Sequence, residues 1–268
     1  MRTVGFIGIG NMGSAILRGV VSTGYVEAEN VFIYDVNAQK TTELVAENPE
    51  ITVAESIIDL CRYSDVIVLA VKPYQLQNVL DEASESLEGR LLISIAAGWT
   101  TDMLDRSLIG SGATWIRVMP NVPALVGEGM TAICSENNIT PDDFDFVKGL
   151  FDAIGRTAVL PEKLFDGAIA ISGSSPAYVF MMIEAMADAG VREGIPRTTA
   201  YEMAAQSVLG AALMVLTTGT HPGELKDSVC SPGGTTIDAV TALEQEGFRS
   251  AIMQAMKICA DKSRKMSE

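Results

Sequence analysis

The first 35 residues constrain the fold more than any other part of the chain. Residues 3–8 read as a short buried strand, and Gly8–Gly13 follows at once with the spacing G-x-G-x-x-G. Residues 14–21 then have helical spacing, and a second strand-like run, residues 30–34, ends at Asp35, 22 residues after the last glycine. Glycines alone are weak evidence, and a glycine-rich turn in an unrelated α/β domain is the alternative. The strand, the helix and the acidic strand end in this order indicate a dinucleotide-binding unit.

Each glycine of this pattern has its own physical reason. The first makes the tight turn, the second lets the backbone approach a pyrophosphate, and the third lets the helix pack on the strand. Asp35 bears on the choice of cofactor, because a carboxylate there can bond the ribose 2′-OH of NAD and repel the 2′-phosphate of NADP. The next residue is Val36 rather than an arginine, whereas Lys40 lies nearby. These residues favour NADH and leave NADPH open.

Strand-like and helix-like segments alternate up to about residue 160. The strand-like segments are residues 3–8, 30–34, 51–53, 65–71, 91–95, 114–118, 130–134 and 157–160. The early segments are continuously apolar, which suits a parallel sheet covered on both faces. Later segments have helical spacing, over residues 176–189, 197–217, 234–246 and 248–265. We therefore predict a doubly wound α/β domain over residues 1–161 and an all-helical domain over residues 162–268.

The strand ends of the first domain carry candidate ligand contacts. Loops follow three predicted strands at residues 70–73, 95–98 and 117–121. The carboxyl ends of strands face the ligand in an open α/β sheet. Lys72 and Arg117 are therefore candidate phosphate or ribose contacts, and solvated surface charges are the alternative for both.

A second ligand site is predicted in the segment 229–236. Hydroxyl groups and glycines alternate there, at Ser231, Gly233, Gly234, Thr235 and Thr236. Glycines let backbone N–H groups approach a ligand closely, and such a turn opening a helix can bind a carboxylate or a phosphate. The alternative is an ordinary loop before a helix whose N-cap is Thr235 or Thr236.

The available side chains favour imine reduction over alcohol oxidation. A nicotinamide cofactor implies hydride transfer, and an alcohol substrate needs a His, Lys or Tyr to move its proton. The one histidine, His221, lies in a turn and helix start, and residues 177–190 contain no Lys or Arg. A cyclic imine can arrive already protonated, so a hydroxyl from Thr235 or Thr236 suffices to orient its nitrogen.

The chain resembles the pyrroline-5-carboxylate reductases in motifs that span nearly its whole length. These motifs are Gly8–Gly13, Ala70–Pro73, Ile95–Gly98, Arg117–Asn121, Ser172–Tyr178, His221–Asp227 and Ser231–Thr236. The last is highly specific to that family. The resemblance implies reduction of 1-pyrroline-5-carboxylate to L-proline, the last step of proline biosynthesis, with NADPH or NADH as the cofactor.

The resemblance also assigns residues to the site. It implies cofactor contacts at Ile7, Gly8, Ile9, Gly10, Asn11, Met12, Ala70, Val71, Lys72, Pro73, Ile95, Ala96 and Ala97, to which the fingerprint adds Asp35. Gly233, Gly234 and Thr235 would cradle the substrate carboxylate, with Ser231 in the same site. Thr236, the predicted catalytic residue, would bond the substrate nitrogen. Family members often carry Ser near position 35 and Asn within the stretch 56–58, so this chain departs from the family where NADPH and NADH are distinguished.

Two independent arguments predict a homodimer. The run 208–216 is apolar nearly all round and must be buried. A helical domain of this size offers little interior, so we predict a dimer interface there, with a central core helix as the alternative. The resemblance implies dimers with interlocked helical domains, built into larger rings such as a decamer.

Composition excludes several other functions. A net charge of −15 and a pI near 4.5 argue against a nucleic-acid partner. Four scattered cysteines with one histidine predict reduced thiols and no metal site. The apolar runs 66–71 and 211–216 are too short to cross a bilayer, and the first apolar run is a strand rather than a signal peptide. We therefore expect no membrane contact and a cytoplasmic protein that binds a small molecule.

Two other functions stay open at this point. One is a β-hydroxyacid-type dehydrogenase, in which a catalytic lysine lies on the helix after a loop like Ser172–Pro176; here that helix carries none. The other is a non-catalytic nucleotide-binding sensor, which would not need the hydroxyl-rich segment 229–236.

Overall fold

An eight-stranded sheet forms the centre of the first of two compact units in this computed structural model, which describes residues 2–266. The strands are β1 (Val4–Ile7), β2 (Val31–Tyr34), β3 (Thr52–Val53), β4 (Val66–Leu69), β5 (Leu91–Ser94), β6 (Thr114–Met119), β7 (Gly129–Cys134) and β8 (Gly155–Leu160). All eight predicted strands are confirmed. Their spatial order is β3-β2-β1-β4-β5-β6-β7-β8.

The order of the strands reverses between β1 and β4, as in a Rossmann-type sheet. From β3 to β6 every pairing is parallel. β7 then pairs antiparallel with β6 and parallel with β8, a reversal that the sequence did not predict. In such a sheet the crevice at the carboxyl ends of the strands beside the reversal point is the expected place for a nucleotide.

The helices of this unit cover both faces of the sheet. They are α1 (Asn11–Ser22), α2 (Ala38–Glu47), α3 (Ile57–Tyr63), α4 (Pro73–Ala83), α5 (Thr101–Ser107), α6 (Pro141–Asp152) and α7 (Phe165–Ala168). Alternate residues of β4 point to opposite faces: Val66 and Val68 join the core under α1, α2 and α6, whereas Ile67 and Leu69 join the core under α3, α4 and α5. Burial on both faces explains why the strand is continuously apolar.

The second unit, Ser175–Ile258, is entirely helical. Its helices are α8 (Ser175–Arg192), α9 (Arg197–Thr218), α10 (Pro222–Val229), α11 (Thr235–Gln245) and the first part of α12 (Phe248–Met266). The four predicted helices are confirmed, and α10 is a complete helix where only a turn and a helix start were predicted. From Cys259 onward, α12 belongs to the first unit. The domain boundary at residue 161 stays a prediction.

Helix α9 exposes its apolar residues in the single chain. Leu209, Leu213 and Leu216 are 47%, 45% and 54% exposed. The alternative of a central core helix is therefore wrong for the isolated chain. By length and mean hydropathy alone, α9 and the helical stretch Glu162–Arg192 could each cross a membrane, although a soluble helical protein passes the same test. The sequence argument considered uninterrupted apolar runs and missed both, so the absence of membrane contact stays a prediction.

Candidate active site

The three glycines of the turn after β1 have different structural roles. Gly8 has φ +98°, and a Cβ there would lie 2.7 Å from the Ala70 carbonyl oxygen. A Cβ on Gly13 would overlap the carbonyl oxygen of Gly8. Gly10 differs, because no heavy atom of residues 2–266 lies within 4 Å of where its Cβ would be. The first and third glycines therefore serve packing, whereas Gly10 faces open space that a ligand can fill.

The N-terminus of α1 is suited to an anion. Its N-cap is Gly10, with no side-chain cap, and its first turn carries no acidic residue. The first N–H groups of an α-helix lack partners within the helix and, with the helix dipole, attract negative charge. The turn and the helix end together fit the pyrophosphate of a dinucleotide.

A cleft of about 620 Å³ opens beside this helix end at the carboxyl edge of the sheet. The predicted cofactor residues that line it are Ile7, Gly8, Gly10, Asn11, Met12, Asp35, Ala70, Val71, Lys72, Pro73, Ile95, Ala96 and Ala97. Ile9 is the exception, because its side chain is buried in the core and is only 4% exposed. The structure thus brings three separated loops together around one cleft.

Asp35 has a second role that the fingerprint did not predict. Its carboxylate accepts the Ile9 N–H at 2.7 Å and the Asn37 N–H at 2.8 Å, and Lys40 Nζ lies at 3.5 Å. The carboxylate therefore holds the glycine-rich turn in place. Because an ionised carboxyl has about four acceptor positions, one remains for a ribose hydroxyl.

Several residues that line the cleft were not among the cofactor contacts named from the sequence. They are Tyr34, Val36, Asn37, Lys40, Ile57, Gln75, Val79, Met119 and Pro120. Tyr34 ends β2, so the strand-end rule could have found it, whereas Met119 and Pro120 belong to the loop 117–121 that this rule had already placed at the ligand. Ile57 belongs to the stretch 56–58 that the family resemblance placed near the ribose, whereas Val79 lies within α4, where the sequence gives no sign that it faces a ligand.

Arg117 takes neither of the two roles considered for it from the sequence. Its side chain is 3% exposed and its Nη1 donates to Glu162 Oε1 at 2.6 Å. The guanidinium lies 4.7 Å from the centre of the Phe165 ring. Glu162 also accepts the Thr101 N–H and hydroxyl at 2.7 and 2.6 Å. Arg117 is thus part of a buried network that joins β6, the start of α5 and the turn before α7.

The hydroxyl-rich segment of the second unit forms a tight turn. The Gly234 N–H donates to the Ser231 carbonyl at 3.0 Å, with Pro232 and Gly233 between them and Gly233 at φ +67°. Proline followed by a glycine of positive φ is typical of a type II turn. A Cβ on Gly234 would overlap the Ser231 hydroxyl, so a larger residue there would force this hydroxyl to move.

The N-terminus of α11 is capped by Gly234, not by a threonine. The N-cap makes no side-chain hydrogen bond, and α11 begins at Thr235. The alternative in which Thr235 or Thr236 caps the helix is therefore wrong. With no side chain in the cap position, the N–H groups of the first turn remain available to a ligand. Thr235 is exposed and Thr236 is half-buried beside them.

His221 fixes the start of the helix before this turn. Its Nδ1 accepts the Gly223 N–H at 3.0 Å, which makes His221 the N-cap of α10. The sequence suggested a structural role for this histidine, and the structure confirms it.

Two of the four cysteines are buried in the first unit. Burial raises the pKa of Cys61 to about 11 and that of Cys134 to about 12. Thiols with such pKa values are poor nucleophiles at neutral pH. Within residues 2–266, no group of three His, Cys, Asp or Glu side chains could hold a metal ion.

Comparison with known proteins gives the relationship directly. A family model described as pyrroline-5-carboxylate reductase dimerisation matches residues 162–266. Residues 3–98 match a model described as NADP oxidoreductase, coenzyme F420-dependent. The chain is 48% identical over 268 residues to pyrroline-5-carboxylate reductase of Escherichia coli (strain K12), covering all of this chain and 99% of the relative.

The chain belongs to the pyrroline-5-carboxylate reductase family.

Other members of the family agree. The enzyme of Methanosarcina acetivorans is 42% identical, covering all of this chain and 98% of the relative. The crystal structure of Plasmodium falciparum pyrroline carboxylate reductase with NADP bound has a TM-score of 0.90 and 35% identity, covering 100% of this chain and 98% of that one. The predicted family is thus confirmed, and so is its fold of a Rossmann-type domain followed by a helical one.

Proposed function

We propose that this protein reduces 1-pyrroline-5-carboxylate to L-proline with NADPH or NADH. One observation carries the proposal. This member of the family has both a glycine-lined nucleotide cleft and a helix, α11, whose N-terminus is capped by Gly234. The first fits a dinucleotide and the second fits a carboxylate. The two alternative functions lack such support: α8 carries no lysine, and a sensor has no use for the hydroxyl-rich turn.

The residues of the cleft would hold the cofactor in the following way. Gly8–Met12 and the N-terminus of α1 would bind the pyrophosphate, and Asp35 would face the adenosine ribose. The loops at residues 70–73 and 95–97 would contact the rest of the dinucleotide. The bound cofactor supplies the hydride that the imine carbon receives.

The second unit would bind the substrate. The N–H groups at the start of α11, with Gly233, Gly234, Thr235 and Ser231, would hold the substrate carboxylate. This local positive field matters because the chain as a whole carries a net charge of −15 and repels an anion. The carboxylate would fix the ring so that its nitrogen meets the hydroxyl of Thr236.

Little proton chemistry then remains for the enzyme. The imine nitrogen of the substrate is protonated before reaction, so the arriving hydride neutralises the charge of the iminium and leaves a secondary amine. Thr236 would orient this nitrogen by a hydrogen bond and assist proton exchange there. No histidine or lysine base is required, which agrees with the position of His221 as a helix cap.

The assembly is part of the same proposal. The family model over residues 162–266 describes dimerisation, and the exposed apolar residues of α9 supply a surface for it. We place the functional boundary near residue 161, with a homodimer that can assemble into a decameric ring in the cytoplasm. Light scattering should therefore detect no monomer at micromolar concentration, and a monomer there would contradict the interface on α9.

The activity itself is tested by adding pyrroline-5-carboxylate to the purified protein with NADH or, separately, NADPH. Loss of the absorbance of the reduced nicotinamide is the expected result. Absence of turnover with both cofactors, although both bind, would contradict the proposed substrate.

A pair of variants tests the role of Thr236. Thr236→Ala removes the hydroxyl and should lower kcat by roughly 10²-fold, as expected for loss of a positioned proton-handling group. Thr236→Ser keeps the hydroxyl and should retain most of the activity. Cofactor affinity and thermal stability should be unchanged in both, and wild-type turnover of Thr236→Ala would remove this residue from the mechanism.

A further inference from the structure

Trp99 joins two of the loops that line the cofactor cleft. Its indole Nε1–H donates to the Pro73 carbonyl oxygen at 2.9 Å. Pro73 ends the loop after β4, whereas Trp99 lies just beyond the cleft residues 95–97 in the loop after β5. Since β4 and β5 are neighbours in the sheet, with Leu69 opposite Ser94, the two loops leave the sheet side by side.

The loop that carries Trp99 is itself held firmly. Its far end is fixed at Thr101, whose N–H and hydroxyl both bond to Glu162. Within it, Gly98 has φ +80°, and a Cβ there would lie 3.0 Å from the Met266 carbonyl oxygen. The side chain of Trp99 is packed in the core between α4 and α5 and is only 6% exposed. Trp99 thus hydrogen-bonds from a fixed position.

The loop at residues 70–73 is anchored at both ends by backbone hydrogen bonds of 2.9 Å, from the Ala70 N–H to the Ile7 carbonyl and from the Gln75 N–H to the Lys72 carbonyl. Lys72 is exposed, and its N–H reaches the Gln75 side chain only at 3.4 Å. The contact with Trp99 adds a direct link between the start of α4 and the loop after β5.

We infer that Trp99 is a positioning residue for the cofactor. By holding the Pro73 carbonyl, it keeps the loops at residues 70–73 and 95–97 at the separation in which both contact the same dinucleotide. Phenylalanine would fill the same core space, but only the indole also supplies the N–H donor. The inference rests on the use of the cleft in the proposed function.

Trp115 provides a matched control in the same chain. It is buried to the same degree, at 4% exposure, and belongs to the same core cluster. Its Nε1–H also donates at 2.9 Å, but the acceptor is Asp105 on α5, which does not line the cleft. Replacing either tryptophan by phenylalanine removes one partly buried indole hydrogen bond, whereas only Trp99→Phe frees a cofactor loop.

The experiment compares Trp99→Phe and Trp115→Phe with the full-length wild type. The Kd values of NADH and NADPH are measured by calorimetric titration, the KM of pyrroline-5-carboxylate by steady-state kinetics, and the Tm by calorimetry. We expect Trp99→Phe to raise both nucleotide Kd values by about 5-fold, which is typical of one lost hydrogen bond. The KM of the imine should stay within about 2-fold. Trp115→Phe should lower the Tm to a similar extent and leave both Kd values unchanged.

Wild-type Kd values for Trp99→Phe would overturn the inference alone, since nucleotide binding by the wild type would still support the proposed function. Equal increases of Kd in both variants would also overturn it, because general loosening of the core would then explain the effect. A wild-type protein that binds neither nucleotide would overturn the proposed function and this inference with it.

Discussion

Alanine at Gly8 and alanine at Gly10 should have opposite consequences, although the two glycines lie two residues apart in one motif. At Gly8 a side chain meets both an unfavourable φ of +98° and the backbone of Ala70 at 2.7 Å. The conformational term is about 1–2 kcal/mol. Overpacking against a backbone atom adds about 1–3 kcal/mol. Gly8→Ala should therefore destabilise the fold by about 2–5 kcal/mol.

At Gly10 the same change leaves the fold almost unaffected. Its φ of −77° and ψ of −174° suit alanine, and no heavy atom lies within 4 Å of the new methyl group. The remaining cost is the poorer N-cap of α1, about 0.5–1 kcal/mol. The methyl group instead occupies the space into which the pyrophosphate must come, so the Kd of either nucleotide should rise by at least about 10-fold.

Thermal unfolding without nucleotide and titration with NADH and NADPH separate the two effects. For a chain of this size, 1 kcal/mol corresponds to a shift in Tm of about 2–4 °C. Gly8→Ala should thus lose roughly 4–20 °C, whereas Gly10→Ala should lose no more than about 4 °C. Wild-type affinity in Gly10→Ala, or wild-type stability in Gly8→Ala, would refute this account of the turn.

The other predictions concern Asp35, His221 and the two buried cysteines. Asp35→Ser removes a negative charge whose repulsion of a nearby phosphate costs about 1–4 kcal/mol. The ratio of kcat/KM for NADPH to that for NADH should therefore rise by about 10-fold. An unchanged ratio would show that other residues distinguish the 2′-phosphate from the 2′-hydroxyl. His221→Ala should destabilise α10 by about 1 kcal/mol and raise the KM of the imine. His221→Asn can still cap the helix, so its stability and its KM should match the wild type. Equal stability and KM in the two variants would exclude the helix cap as the cause. Cys61 and Cys134 should resist iodoacetamide at pH 8 until the protein unfolds, and rapid native labelling of either would contradict their burial. Because their pKa values are raised to about 11 and about 12 in the folded state, their contribution to stability is intact below the unfolded pKa of about 8.5. It should be lost as the pH rises towards 11–12, so the denaturant midpoint should fall from pH 8.5 upward.

The sheet could be predicted because its strands obey local rules. Val66–Leu69 is apolar without a break since both of its faces are covered, and the glycines after β1 need conformations that few other residues adopt. The direction of β7 could not be predicted in this way. Whether it pairs parallel or antiparallel with β6 is decided by the path of the connection through residues 120–128, not by the apolar pattern of the strand.

The candidate site could be predicted where a sequence motif fixes the backbone conformation. It could not be predicted where side chains that are far apart in the sequence contact each other. The loop at residues 70–73 and the turn at Gly234 follow from such motifs. By contrast, Asp35 is 26 positions from Ile9, and Arg117 is 45 from Glu162. The sequence offered Arg117 as a candidate ligand contact because it lies near a strand end, with a solvated surface charge as the alternative. Its burial against Phe165 is a property of packing that no local pattern records.

The apolar surface of α9 has a consequence for how the stability of this protein must be measured. If a second copy covers this surface, the folded helical unit and the assembled dimer are one thermodynamic state. Mass action then enters the stability, and each tenfold dilution weakens the assembled form by about 1.4 kcal/mol per dimer. The Tm should accordingly rise with protein concentration, so no single value of it describes the chain.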